Sequence, residues 1–342
     1  MKADIRLKIV SSLAKVFADE EPMEYLETGK YSGFKNEVIS FQAAYTSEGM
    51  LWGNFANIEI KSPIKNIIRV RKVELVPVGL ATFFDADANY LRENPGMFPD
   101  LLTDLKDSPT GHIRTFSGQW RAIWIDVEPR EQTKAGTYPI EILIKTLNGE
   151  VMAQRTVNVP ANNHIDPFIN AKVKGLWTYY CVAQYKDISN LFIAMPSARN
   201  RIFGVQLYKY DIEGILQWGY NFYKSQYCGY NIDPYAVTDA DGFAPAGDPF
   251  QVYPGKGGIP EESIRFMVTQ QAIFDLRALK MLEGLTSKEY VMEIVEDSLA
   301  QPITFSVYPK TDAYIFALRD RVNREILKRR YKKKPAQTAL FL

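Results

Sequence analysis

The sequence has little of what most often carries metal and redox chemistry. Across 342 residues there are two cysteines and two histidines. Cys181 and Cys228 are too few for a disulfide framework and point to a reducing compartment. Both read as packing residues, since a reactive thiol needs a cationic neighbour. His112 and His164 have no metal-type partner at helical spacing, which excludes a His-rich metal site. No metal or organic cofactor is implied. Charge of one sign is also lacking: the net charge is +1, with no bias toward nucleic acid or a membrane surface. The basic run Leu327–Lys334 (LKRRYKKK) reads as a solvated helix end. No window approaches the ~20 apolar residues of a membrane span. The first residues hold no apolar stretch long enough for a signal peptide, so a cytoplasmic location is expected.

Aromatic residues are abundant instead: 13% of the chain, with 20 Tyr and 5 Trp. They concentrate in Tyr208–Arg265, which mixes aromatics with glycine, proline and aspartate and has little room for regular structure after Tyr223. Loops of this composition on a rigid scaffold tend to build sites. The Gly255–Gly258 run (GKGG) lacks the spacing and the Lys-Ser/Thr ending of a phosphate loop.

Residues 1–160 read mainly as β. Val38–Tyr45, Asn57–Lys61, Ile67–Val76, Gln119–Val127, Thr137–Ile144 and Val151–Val159 are rich in β-branched and aromatic residues. Turn signals separate them, and Asn148-Gly149 is a strong hairpin signal. Many short strands at intervals of about 10 residues predict a β-sandwich. The segment Asp85–Gly118 reads as a surface loop with one short helix. A boundary falls near Val159–Asn163, and helices and strands alternate beyond it. Helices are expected at Ile165–Lys172, Pro196–Tyr210, Pro260–Glu283, Glu289–Ser298 and Tyr314–Tyr331. Pro260 suits the first turn of its helix and Gly284 the stop. Strands are expected at Gly175–Cys181, Glu213–Tyr220 and Phe250–Tyr253. Alternation implies parallel strands with helices outside, and a (β/α)8 barrel is the natural candidate. Yet residues 164–335 are about 170 positions against about 250 for a typical barrel, and three strands are under half of one.

At LWTYYC (Leu176–Cys181), Ser189–Tyr210 and ILQWGYNFY (Ile215–Tyr223) the chain resembles glycoside hydrolase family 123. The resemblance continues through NIDPYAVTDA (Asn231–Ala240), GDPFQVYPG (Gly247–Gly255), Ser263–Arg265 and FDLRALKMLE (Phe274–Glu283). In the first half it rests on Lys35–Gln42, Phe98–Leu102 and Gln119–Ile142. It implies an N-terminal all-β sandwich (1–160) followed by a partial (β/α)8, TIM-type barrel (164–335) and a tail (336–342). The activity it implies is that of a β-N-acetylgalactosaminidase-like glycosidase, acting on a glycan or glycolipid with a terminal N-acetylhexosamine. The mechanism it implies is substrate-assisted. The sugar's acetamido oxygen attacks the anomeric carbon, an Asp steadies the oxazoline-like intermediate and a neighbouring Glu is the acid/base.

The family's Asp-Glu pair lies between the sandwich and the LWTYYC strand. Here Thr156–Pro160 runs almost directly into Asn163–Ile169, so the middle of the barrel and its carboxylate pair are expected to be absent. Asp19-Glu20 and Glu296-Asp297 lie in other contexts. The resemblance thus leaves two readings, a family glycosidase and an inactive glycan-binding remnant. Candidate sugar contacts remain. By alternation Trp177 and Tyr179 share one strand face and Tyr180 takes the other; each reads equally as core or as site. Trp218, Tyr220 and Asn221 end the next strand, where an indole can stack on a pyranose and an amide can bind hydroxyls. Asp233, Tyr235 and Asp239 suit either hydroxyl binding or turn capping. Arg199 and Arg265 read as partners of local carboxylates or as helix caps.

Overall fold

A computed structural model describes residues 4–24, 32–48, 54–107, 111–134, 136–162 and 177–332. The first half folds as two facing sheets. Its strands are β1 (Asp4–Ser11), β2 (Gly33–Phe34), β3 (Ile39–Glu48), β4 (Asn54–Lys61), β5 (Ile68–Val78), β6 (Gly96–Asp104), β7 (Ile113–Thr115), β8 (Arg121–Val127), β9 (Gly136–Lys145) and β10 (Val151–Asn162). One five-stranded sheet runs β1-β3-β8-β5-β6 and the other β2-β10-β9-β4-β7. Ile5, Leu7, Ile9, Phe41, Ile123 and Ile125 from the first meet Ile60, Ile140, Ile142 and Ile144 from the second. The expected sandwich strands are present, and Asn148-Gly149 turns β9 into β10.

The first sheet is buried on both faces, which explains the near-continuous apolar run of β8. Ile123, Ile125 and Val127 face the second sheet. Ala122 and Trp124 point the other way, into a core shared with the helices. That outer face also buries Gln42, Arg71 and Asp126. Trp124 Nε1 and Ser40 Oγ each donate to Asp126 Oδ1 at 2.7 Å, and Arg71 bridges Asp126 to Glu262.

The segment Asp85–Gly118 is not a surface loop with a helix. Its centre is β6, with Phe98, Asp100, Leu101 and Leu102 all buried. Pro99 is compatible with a strand here because β6 is the sheet edge. Among its described residues, helical structure is confined to the 3-10 turn Leu105–Asp107.

Beyond residue 176 the described elements are β11 (Trp177–Tyr180), α1 (Ser197–Arg201), α2 (Phe203–Lys209), β12 (Gly214–Gln217), β13 (Val252–Tyr253), β14 (Glu261–Glu262), α3 (Ile264–Leu285), α4 (Lys288–Glu296) and α5 (Asp312–Lys332). β11 and β12 pair in parallel, Trp177 opposite Gly214 and Tyr180 opposite Gln217, with α1 and α2 as the crossover. None of the sheets closes, and among the described residues no further strand joins β11 and β12. The expected helix at 165–172, the downstream side of the junction at Asn163 and the tail at 336–342 lie outside the described residues.

α3 starts later than expected. Ser263, not Pro260, sets its first turn, its Oγ accepting from Phe266 N at 3.0 Å. Gly284 lies inside the helix, which ends against Thr286, whose hydroxyl donates to Leu282 O at 2.7 Å. α3 crosses the outer face of the first sheet and carries α2 and α5. Three ion-pair groups, two buried and one part-buried at Glu262, weld this layer to the sandwich. Arg265 pairs with Asp100, Arg71 with Glu262, and Arg319 with Glu37. No described helix is long and apolar enough to cross a membrane.

Candidate functional site

The parallel pair places its side chains by alternation. Tyr179 and Leu216 lie opposite each other on the open face, 47% and 53% exposed. Tyr180 takes the other face, buried, its hydroxyl 2.7 Å from Ser189 Oγ, which donates to Gln206 Oε1 at 2.9 Å. Trp177 starts the strand opposite Gly214.

After β12 the chain passes Trp218 and turns across the returning segment 248–250. Gly219 permits this crossing: a Cβ there would stand 2.4 Å from Pro249 O and 2.6 Å from Asp248 O. Asp248 is fully buried beneath the turn. Its Oδ2 accepts from Trp218 Nε1 at 2.7 Å and its Oδ1 from Gln217 Nε2 at 3.2 Å. Burial pushes this carboxyl up to about 6, against hydrogen bonds from Trp218 and Gln217 and the charge of Arg265. Partial burial, Cys181 and then Asp248 also raise the Tyr179 phenol, which has the Cys181 thiol beside it. The cluster is therefore one buried carboxyl that fixes an indole, within electrostatic reach of an exposed phenol.

A carboxyl raised in the folded state stabilises the fold in acid. That contribution is complete below its ordinary value of 3.8 and is lost as pH rises through about 6. Asp248→Asn removes the charge, and its amide can donate to Gln217 Oε1, which is buried without a partner. The variant is expected to exceed the wild type near pH 8 by up to about 3 kcal/mol, at ~1.36 kcal/mol per pKa unit, with the gap shrinking toward pH 4. Urea midpoints at the two pH values test this; a wild type at least as stable as the variant near pH 8 counts against it.

The other candidate residues take different places. Tyr220 is 49% exposed, its ring 6.1 Å from Phe266. Asn221 is exposed and bridges to Phe250. Asp233 caps its own turn, Oδ1 accepting from Tyr235 N at 3.0 Å. Tyr235 stacks on Tyr253 at 5.6 Å, with its hydroxyl 2.8 Å from Pro254 O. Asp239 accepts from Leu80 N at 2.8 Å and Gly242 N at 3.0 Å. Arg199 is buried on Asp87, at 3.0 Å, and Arg265 on Asp100. The fold thus gathers Tyr179, Gln217, Trp218 and Asp248. Sequence reasoning missed Gln217 and Asp248. The signal for Asp248 was its place in Gly247-Asp248-Pro249, whose glycine takes φ 89°.

Among the described residues no group of three His, Cys, Asp or Glu is arranged to hold a metal ion. The two adjacent Asp-Glu pairs are held by other cations. Asp19 and Glu20 pair with Arg92, Glu296 with Lys209 and Asp297 with Arg321.

Residues 133–282 match the family model described as the glycoside hydrolase 123 catalytic domain. Among solved structures, a family 123 glycoside hydrolase from Clostridium perfringens, from work on glycolipid glycan hydrolysis, matches with a TM-score of 0.63 at 9% identity. The match covers 96% of this chain and 98% of that one. An SrpA adhesin mutant from Streptococcus sanguinis matches at a TM-score of 0.23 and 11% identity, over 50% of this chain and 66% of that one, too weak to carry an argument. No curated protein matches. In fold the chain is glycoside-hydrolase-like. More narrowly, it resembles glycoside hydrolase family 123.

Proposed function

We propose that this chain is a β-N-acetylgalactosaminidase-type, glycoside-hydrolase-like protein that takes the terminal N-acetylhexosamine of a glycan or glycolipid at Trp218. The observation that carries this is the Trp218–Asp248 hydrogen bond at 2.7 Å beside the exposed Tyr179. A locked indole offers a stacking face at little entropic cost, and a phenol beside it supplies both packing and a hydrogen bond. In this reading Trp177, Tyr220 and Asn221 also contact the sugar, while Tyr180, bonded to Ser189, Asp233, capping its own turn, and Tyr235, stacked on Tyr253, serve the scaffold around it. In this reading residues 1–160 form a sandwich domain. Residues 164–335 are the late part of a barrel, of which β11, α1–α2 and β12 form one βαβ unit. The two free cysteines favour a reducing, cytoplasmic setting.

A second reading, an inactive glycan-binding remnant, is favoured by one specific observation. Both adjacent Asp-Glu pairs are held in salt bridges by arginine or lysine.

Two measurements on the purified chain separate the readings. Binding of methyl β-N-acetylgalactosaminide is followed by calorimetry, and hydrolysis of a chromogenic β-N-acetylgalactosaminide by absorbance. Binding without turnover supports the remnant; binding with enzyme-like turnover supports the glycosidase. Trp218→Ala is expected to weaken binding about tenfold, in keeping with loss of an aromatic contact worth about 0.5–1.5 kcal/mol beyond its area. Absence of binding by the wild type rules out both.

A further inference from the structure

Five residues after Trp218 the chain leaves the body of the protein as a narrow hairpin. Lys224 and Asn231 bridge antiparallel, Ser225 N donates to Tyr230 O at 3.0 Å, and Ile232 N donates to Tyr223 O at 3.1 Å. The base is braced, with Tyr223 Oη donating to Val252 O at 2.8 Å. So are the sides: Lys224 Nζ donates to Asn231 Oδ1 at 2.9 Å, and the Tyr230 hydroxyl holds the Asp241 carboxylate. At the tip Tyr227 is 91% exposed.

The tip conformation is unusual. Tyr227 and Cys228 both occupy the left-handed region, at φ 56° and 58°. Side chains disfavour it, and Gly229 next to them, which would tolerate it, sits at φ −60°. A turn shaped by local preference alone would place the glycine at a left-handed position. This one presents a tyrosine instead, and strain of this kind collects at ligand contacts.

The hairpin is continuous with the Trp218 cluster. Phe222 at its base lies 5.2 Å from Trp218, ring to ring, and Phe222 N donates to Pro249 O at 3.1 Å, next to Asp248. From Tyr223 to Ser225 the chain advances about 7 Å at strand rise, and the 3-10 turn Gln226–Cys228 carries Tyr227 beyond it, further than one pyranose ring. The exposed side chains around the tip are Lys224, Gln226, Tyr230 and Asn231, one ammonium, two amides and a phenol rather than bare apolar groups. Rings interleaved with hydrogen-bonding groups match the alternating apolar faces and hydroxyl edges of linked sugars. A lipid surface would favour Phe, Leu or Trp with surplus cations, and Lys224 is already bonded to Asn231.

We infer that this hairpin is a second sugar-binding surface, centred on Tyr227, which takes the internal residues of an oligosaccharide whose terminal sugar lies at Trp218. The inference rests on the glycan-binding reading of Trp218, and the two free cysteines test the two surfaces separately. Cys181 adjoins Tyr179, and Cys228 adjoins Tyr227. Iodoacetamide labelling of each is followed by mass spectrometry. Methyl β-N-acetylgalactosaminide is expected to slow labelling of Cys181 alone. A tetrasaccharide with the same terminal sugar is expected to slow both. Tyr227→Ala is expected to weaken tetrasaccharide binding about tenfold and leave the monosaccharide unchanged, with Tyr227→Phe retaining most of the affinity. Protection of Cys181 alone by the tetrasaccharide, with no effect of Tyr227→Ala, overturns the second surface and leaves the first. Protection of neither cysteine overturns both. Binding to glycan-free phosphatidylcholine vesicles that Tyr227→Ala abolishes assigns the hairpin to a membrane and likewise overturns the inference.

Discussion

Asp100→Ala is expected to destabilise the fold by about 3–5 kcal/mol, the cost of stranding a buried charge. Asp100 and Arg265 are both fully buried, and two guanidinium nitrogens reach the two carboxylate oxygens at 2.9 and 3.0 Å. Tyr253 Oη donates to the same carboxylate at 2.7 Å, and Lys15 Nζ lies 3.7 Å away. Burial alone would raise this carboxyl. The charges of Arg265 and Lys15, with hydrogen bonds from Arg265 and Tyr253, outweigh burial and hold it below its ordinary value. Its contribution is therefore present above that ordinary value and is lost as pH falls through the lowered one. Arg265 also donates to the carbonyls of Leu191, Gly247 and Phe250, so it cannot follow a lost partner out to water. Lys15, whose amine burial already lowers to about 8, would lose its counter-charge as well. Urea unfolding at neutral pH reads the effect directly. A loss below about 1 kcal/mol, the centre of the range for ordinary substitutions, would mean that the pair is not a strut between the sandwich and α3.

Gly204→Ala is expected to reverse the usual sign of a helical glycine-to-alanine change. In an exposed helix the substitution stabilises by about 1 kcal/mol. At Gly204 the added methyl would stand 2.1 Å from Ala272 O and 2.8 Å from its carbonyl carbon, both backbone atoms of α3. Backbone cannot rotate aside, so α2 must move off α3, at a cost of about 1–3 kcal/mol or more. The same change at Gly284 supplies the control. It lies in α3 with nothing within 4 Å of the new methyl. Thermal melts of the two variants should move in opposite directions; a stabilised Gly204→Ala would show that the α2–α3 contact is looser than drawn.

Much of the fold was legible because burial imposes a period. β3, β5, β8, β9 and β10 carry β-branched residues at strand spacing. The division between Tyr179 and Tyr180 follows from the same alternation. β6 was not legible because Gly96 and Pro99 resemble loop punctuation, and an edge strand tolerates both. The helix boundary was misjudged because Pro260 and Ser263 are each plausible starters, and only the bond from Phe266 N to Ser263 Oγ decides. Asp248 was invisible for a different reason. Its partners Trp218 and Gln217 lie about thirty positions away, and nothing local marks a carboxylate whose role is assigned from a distance. Asp100 and Arg265 are the extreme case, 165 positions apart.

Those separations bear on the order in which the chain is made. Glu37 is buried on the sandwich side, and its cationic partner Arg319 follows 282 positions later. Asp100 waits 165 positions for Arg265. On a ribosome, at about 5–20 residues per second, both carboxylates emerge many seconds before their arginines. A nascent sandwich therefore has reason to keep the outer face of its first sheet hydrated until α3 and α5 arrive. Final consolidation is thus a late event in synthesis, and a ribosome stalled before residue 265 would hold a sandwich in which these acids are still solvated.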